Sequence, residues 1–166
     1  MSESNPDNTL PVDSPDRKRL PPLLRRAWYS LNQALRRRIA PTGATPDQFT
    51  ALRTLTEADP KGITQGQLTR LMSSDPNTIA SLLERMEKAG WVERKRHETD
   101  RRAYRIKITA KGRKLFENLR DVAVNLQSQV LSVLDEADRE DFLKKLATVA
   151  DACREAADNS PKRKKS

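Results

Sequence analysis

The sequence predicts a mainly α-helical chain carrying one small β-hairpin, and three observations support that expectation. Apolar residues recur at helical spacing on both sides of the hairpin segment, and capping signals open three short helices between Thr45 and Gly90. A single alternating stretch, with Tyr104, Ile106 and Ile108 set against Arg105 and Lys107, marks a strand with one apolar face.

Residues 1–22 hold half of the ten prolines and little apolar periodicity, the composition of an arm that cannot offset its ordering entropy. A first helix is expected over 23–41. Its stripe runs through Leu24, Ala27, Trp28, Leu31, Ala34, Leu35 and Ile39, and Pro41 and Gly43 end it. Thr45-Pro46-Asp47-Gln48 is a capping box with proline in the first turn, and Phe49, Leu52 and Leu55 form the buried side of the helix it opens. Thr64-Gln65-Gly66-Gln67 is a second box, with Ile63 placed to staple against Leu68. Asp75-Pro76 opens a third helix, which reaches Ala89 and ends at Gly90. Two helices joined by the tight Met72-Ser73-Ser74 turn make a helix-turn-helix.

Trp91 and Val92 begin a strand, His97-Glu98-Thr99-Asp100 supplies the turn, and Tyr104 to Ile108 returns, so the unit over 45–109 is a winged helix-turn-helix. Thr109 caps a long helix whose stripe passes through Leu115, Phe116, Leu119, Val122, Leu126, Val130 and Val133. Asp135 marks a further start, and Phe142, Leu143, Leu146, Val149, Ala150 and Cys153 repeat the pattern. The outer helices, 23–41 and 110–157, carry more apolar surface than a small domain needs, so dimerisation helices flanking the winged unit are the expected architecture. A basic tail occupies 158–166.

Composition narrows the function. The 166 residues carry 32 Lys and Arg against 23 acids, a formal charge of +9, which favours a polyanionic partner. Residues 93–107 hold seven Arg or Lys against three acids, and 162–165 are all basic, so the excess is localised like a contact surface. No stretch approaches the roughly 20 apolar residues of a membrane span, and no secretory leader is evident, so a cytoplasmic protein is expected. One Cys and one His provide neither a disulfide nor a metal site, no glycine-rich loop cradles phosphate, and no nucleophile sits beside a base. An enzyme and a cofactor are both disfavoured.

On the third short helix a step of about 100° per residue puts Ile79, Leu82, Leu83 and Met86 on one side and Asn77, Thr78, Ser81, Arg85 and Lys88 on the other. Short polar groups near a helix N-terminus approach base edges in a major groove, and Arg85 reaches a guanine or a phosphate. A solvated amphipathic face has the same pattern, but here a helix-turn-helix precedes it and a basic hairpin follows. In that hairpin Arg94, Lys95, Arg96, Arg101, Arg102 and Arg105 suit a minor groove or phosphate backbone. Asp100 among them would repel phosphate unless it orients an arginine, and Arg102 is its expected partner. Cys153 falls on an apolar stripe and reads as a small buried hydrophobe, and His97 as a solvated neighbour of phosphate.

Asp100-Arg101-Arg102-Ala103-Tyr104-Arg105-Ile106-Lys107-Ile108-Thr109 resembles the wing signature of MarR-type regulators: Asp-x-Arg, three residues, an aliphatic, one residue, an aliphatic and Thr. Leu83-Glu84-Arg85-Met86-Glu87-Lys88-Ala89-Gly90-Trp91-Val92 is similar to the end of that family's recognition helix, and the likeness in element order covers about 23–157. The resemblance implies a homodimeric regulator of double-stranded DNA that binds a pseudopalindromic operator, its first and last helices interleaving between subunits. It assigns Asn77, Thr78, Ser81 and Arg85 to the major groove and Arg101 and Arg102 to wing contacts. Ser81 departs from the longer basic side chain that many relatives place there. The resemblance also implies release of DNA by a small aromatic or phenolic effector, with Trp28 as a candidate pocket residue, although a Trp on an apolar face also serves as core or dimer contact. Repression is the expected mode, and the alternative is an architectural, nonspecific nucleic-acid binder, which the basic tail favours.

Overall fold

The structure, a computed structural model, describes residues 14–100 and 103–161. They fall into two compact units, one ending at Ala123 and the other starting at Val124.

The first unit begins with α1 (Leu20–Ile39), three residues earlier than the proline-rich composition led us to expect. Pro21 and Pro22 lie in the first turn, where the amide hydrogens they lack have no intrahelical acceptor, so they begin the helix instead of delaying it. A 3₁₀ turn over Ala40–Thr42 closes it, with Gly43 left-handed at φ 74°.

α2 (Pro46–Glu57) and α3 (Gln65–Leu71) each carry a complete capping box. The hydroxyls of Thr45 and Thr64 accept the amides of Gln48 and Gln67, whose side chains accept the threonine amides in return. α4 spans Pro76–Lys88 and ends at Gly90, φ 75°, the left-handed position that glycine occupies without a Cβ penalty. The turn between α3 and α4 uses a residue less suited to it. Ser73 is left-handed at φ 49°, and its neighbour Ser74 donates from its amide to the Thr69 carbonyl, which closes the end of α3.

The hairpin is larger than expected. β2 (Val92–Arg96) and β3 (Tyr104–Ile108) pair antiparallel, and β1 (Ile63–Thr64) adds on the other side of β3, giving a sheet of order β1-β3-β2. Ile63 therefore pairs with Ile106 as well as preceding α3, and the connection between β2 and β3 runs from His97 to Ala103. Trp91 stays outside the strand, because its amide bonds the Met86 carbonyl as part of the α4 ending.

α5 (Ala110–Leu131) starts where Thr109 accepts the Gly112 amide and donates its own hydroxyl to the Gly90 carbonyl, so one side chain joins the ends of α4 and β3 to the start of α5. Its first half belongs to the first unit. There Phe116 and Leu119 close a core shared with Ile39, Phe49, Leu52, Leu68, Ile79, Leu83, Met86 and Ile106. Phe49 and Phe116 stack with centroids 5.8 Å apart, and the Arg53 guanidinium lies 5.0 Å over the Phe49 ring.

The second unit holds the end of α5 and α6 (Glu136–Asp158). Leu126 is buried, but α6 has no buried residue. Its expected apolar stripe is present as an exposed surface that includes Phe142 and Leu146. Cys153 is exposed too, which corrects the expectation of a buried thiol: periodicity placed it on a stripe that nothing in a single chain covers. Val133 lies beyond the end of α5, and the Asp135 side chain makes no capping bond although α6 starts beside it. Among the described residues no helix is long and apolar enough to cross a membrane. The arm over 1–13 and the basic run 162–166 lie outside the described residues.

Candidate nucleic-acid interface

The outward face of α4 is fixed at both ends. At its start, Asp75 Oδ1 accepts the amides of Asn77 and Thr78, each at 3.0 Å, and Thr78 Oγ1 donates to Oδ2 at 2.5 Å. The Thr78 hydroxyl and then its amide hold the Asp75 carboxyl below its ordinary range. Gln65 Nε2 donates to the Pro76 carbonyl at 3.4 Å and ties the start of α3 to that of α4. Burial of Ile79, Leu82, Leu83 and Met86 then leaves Asn77, Thr78, Ser81, Arg85 and Lys88 exposed together, as the helical spacing predicts.

Near the end of α4, Lys88 Nζ pairs with Glu84 at 2.8 Å one turn back. The hydrogen bond between them, reinforced by charge, lowers the Glu84 pKa and raises that of Lys88. Glu87 reaches across to β2, where Arg94 Nε lies 3.2 Å from its carboxylate. α4 is thus pinned to the hairpin by an ion pair as well as by the turn at Gly90.

Charge counting treated the hairpin arginines alike, whereas the structure separates them. Arg94 is held by Glu87, Lys95 by Glu93 at 3.1 Å, and Arg105 by Glu98 at 2.9 Å and the Gly62 carbonyl at 3.0 Å. Arg96 is exposed and has no carboxylate within ion-pair distance among the described residues. His97 accepts at Nδ1 from the amides of Thr99 and Asp100, at 3.4 and 3.3 Å, and so shapes the turn instead of only standing beside it. Arg101, Arg102 and the expected Asp100–Arg102 pairing lie outside the described residues.

Sequence reasoning missed the fastening roles of Glu87, Glu98, Arg105 and Gln65. Glu93 and Lys95 pair within β2, but the partners of Arg94 and Arg105 lie in other elements, α4 and the loop after β2. Trp28 is 63% exposed on α1. It borders neither an open cleft of about 250 Å³ between Thr64–Gly66 and Arg94, Tyr104 and Ile106, nor one of about 240 Å³ lined by Leu55, Ala58, Gly62, Lys107 and Arg113. No group of three or more His, Cys, Asp or Glu able to hold a metal ion occurs among the described residues.

Comparison with known proteins agrees with this geometry. Residues 44–104 match the model of the MarR family. The HTH-type transcriptional regulator BilQ of Clostridium symbiosum is 31% identical over 94 residues, 55% of this chain and 65% of BilQ. The chain spans 56% to 65% of the length of several curated regulators it matches. Among solved structures, the MepR–DNA complex of S. aureus superposes with a TM-score of 0.75 at 20% identity, covering 82% of this chain and 99% of MepR. The repressor CouR of Rhodococcus jostii, bound to a 23-mer DNA duplex, gives 0.70 at 28% identity, covering 77% and 89%. The helices α2 to α4 and the three-stranded wing, matched by the family model from residue 44 to the start of β3 at 104, are a winged helix-turn-helix domain of the MarR family.

Proposed function

We propose that this chain is a cytoplasmic DNA-binding transcription regulator, not an enzyme, and that it acts as a homodimeric repressor on a two-fold operator. The observation that carries this reading is the outward face of α4. Asn77, Thr78, Ser81 and Arg85 stand exposed on a helix fastened to a basic hairpin, inside a domain whose relatives include proteins solved on DNA. Two such helices, related by a two-fold axis, would enter successive major grooves. Arg96, with Arg101 and Arg102, would meet the backbone or minor groove beside them.

The dimer reading is supported by unpartnered apolar side chains on the outer helices: Trp28, Tyr29 and Leu31 on α1, and Phe142 and Leu146 on α6. A surface of this kind is covered most simply by a second copy. A small aromatic or phenolic effector fits the same reading, with Trp28 as a lining residue once that face is covered. The relative CouR has been solved with p-coumaroyl-CoA bound.

Fluorescence anisotropy on the chain's own promoter DNA and on scrambled duplex, both at physiological salt, tests the proposal. A regulator binds its own site at least about a thousandfold tighter, and footprinting shows a discrete two-fold protected site. Equal affinity for both duplexes would favour an architectural binder instead.

A further inference from the structure

We infer that the arginine face of α1 is a second phosphate-binding surface, separate from α4 and the wing, that holds duplex DNA outside the two-fold site; this rests on the DNA-binding reading above. Between Arg17 and Pro46 the chain has eight Arg or Lys and no acid, an excess almost as large as the net charge of +9 on the whole chain. The helical step sorts α1 into two faces. Leu24, Leu31 and Leu35 follow the apolar stripe, and Arg25, Arg26, Tyr29, Arg36 and Arg37 lie across from it, all exposed. The two arginine pairs stand about 16 Å apart along the axis. None of the four has a carboxylate within ion-pair distance among the described residues.

An ordinary solvated helix face interleaves its signs. On α6, Lys145 and Arg154 pair with Asp141 and Asp151 about one turn away, and each pair adds a little to the helix. In α1, Lys18 and Arg19 precede an uncapped start with no acid in the first turn, so cations sit at the positive end of the helix dipole. Arg36 and Arg37 suit the opposite end, but Lys18 and Arg19 work against the helix they precede. A polyanion lying along the face relieves that repulsion.

The chemistry of the face favours nucleic-acid phosphate over a lipid surface. Its cations are arginines, whose planar fork engages two phosphate oxygens at once. The Tyr29 hydroxyl accepts from Gln33 Nε2 at 3.1 Å, which leaves its own hydrogen to donate to a phosphate. A helix lying in a membrane inserts its apolar face. In α1 that face is the one a second copy covers in the dimer proposed above, and the arginines point the other way. The phosphate can belong to duplex flanking the site or to another duplex.

The test uses the full-length protein in two assays. Anisotropy at several salt concentrations compares a duplex that just covers the footprinted site with the same duplex extended by two helical turns of scrambled sequence on each side. Beads carrying the site then capture a second, labelled scrambled duplex through the protein. Flanking contacts should steepen the slope of log affinity against log salt on the extended duplex by at least about three, and contacts to another duplex should give capture without that steepening. Changing Arg25, Arg26, Arg36 and Arg37 together to Gln should abolish whichever effect wild type shows, while affinity for the short duplex stays within about twofold. Each pair changed alone should remove about half of the effect. Circular dichroism and light scattering confirm fold and oligomeric state, and a variant that folds but changes its oligomeric state would place these arginines in the interface and overturn the inference. Wild type with neither effect, variants that keep the effect, or an equal loss on the short duplex also overturns it. So does binding to phosphatidylserine vesicles that the changes abolish while both DNA readouts stand. Wild type that does not prefer its site over scrambled duplex overturns the DNA-reading proposal as well.

Discussion

Arg105 and Glu98 close the base of the wing loop: Nε of the arginine lies 2.9 Å from Oε2 of the glutamate, while Nη1 of the same guanidinium donates to the Gly62 carbonyl at 3.0 Å. One side chain thereby links β3, the loop after β2 and the turn before β1. It is only 20% exposed, so Arg105 is committed to holding the wing and is not presented to phosphate. Arg105→Gln and Glu98→Gln should therefore weaken DNA binding several-fold through a looser wing, with little change in the slope of log affinity against log salt. Anisotropy titrations at several salt concentrations give both quantities. A slope reduced by about one in Arg105→Gln would instead make it a phosphate contact.

Arg96 is the contrasting case. It is exposed and unpaired with acid among the described residues, at the end of β2 opposite Tyr104. Arg96→Ala should weaken binding to operator and scrambled duplex alike and reduce the salt slope by about one, with base preference intact. A loss confined to the operator would assign Arg96 to base reading.

These two arginines also show where the sequence stops being legible. The starts of α2 and α3 were readable because each capping box lies within four residues, and the face of α4 was readable because helical periodicity is local. The division of labour among wing cations was not. It depends on which acids the end of α4 and the loop after β2 bring to the wing, Glu87 to Arg94 and Glu98 to Arg105, and charge counting has no access to those placements. β1 was missed for the same reason: two residues, Ile63 and Thr64, form a strand only because Ile106 and Arg105 pair with them. On α6 the stripe was legible but its cover was not, so Cys153 was expected to be buried and stands exposed. Trp28 likewise lies on a readable stripe and stands exposed.

Gly112 should tolerate no side chain. A Cβ there would sit 2.1 Å from the Trp91 carbonyl oxygen and 3.0 Å from Ile108, where the start of α5 crosses the entry to the wing. Trp91 cannot retreat, because the same carbonyl accepts the Thr109 amide at 3.1 Å. Gly112→Ala should cost about 2 kcal/mol or more, the range of overpacking in a closed core, despite alanine's better helix propensity. Thermal unfolding measures it, and an unchanged or raised Tm would show that α5 shifts freely.

Ser73 should respond in the opposite direction. Its left-handed backbone, φ 49°, is one that a residue with a Cβ adopts at a cost, and its side chain is exposed. Ser73→Gly should raise stability by up to about 1 kcal/mol, less the extra freedom glycine has in the unfolded chain. DNA affinity should remain within about twofold, because the turn geometry that sets α3 against α4 is kept. Chemical denaturation and anisotropy on the same preparation check both, and a lowered midpoint would mean that the serine side chain stabilises the turn.

The start of α4 should make stability sensitive to acid. Thr78, through its hydroxyl and then its amide, keeps the Asp75 carboxyl ionised in the folded protein below the pH at which an unfolded aspartate protonates. The folded pKa being the lower one, this contribution is fully present above about pH 4, the ordinary aspartate value, and is lost as pH falls through the folded value. Asp75→Ala should lower Tm at pH 7 and flatten the decline of stability between about pH 5 and pH 2, because the variant has no cap left to lose. Asp75→Asn, which keeps the acceptor, should lie between the two at pH 7 and also lose the acid dependence. Thermal unfolding across that range for all three proteins decides it: wild-type and Asp75→Asn curves of the same slope would place the acid sensitivity in another carboxylate, for which Glu98 is the next candidate because its own amide and Arg105 hold its pKa down.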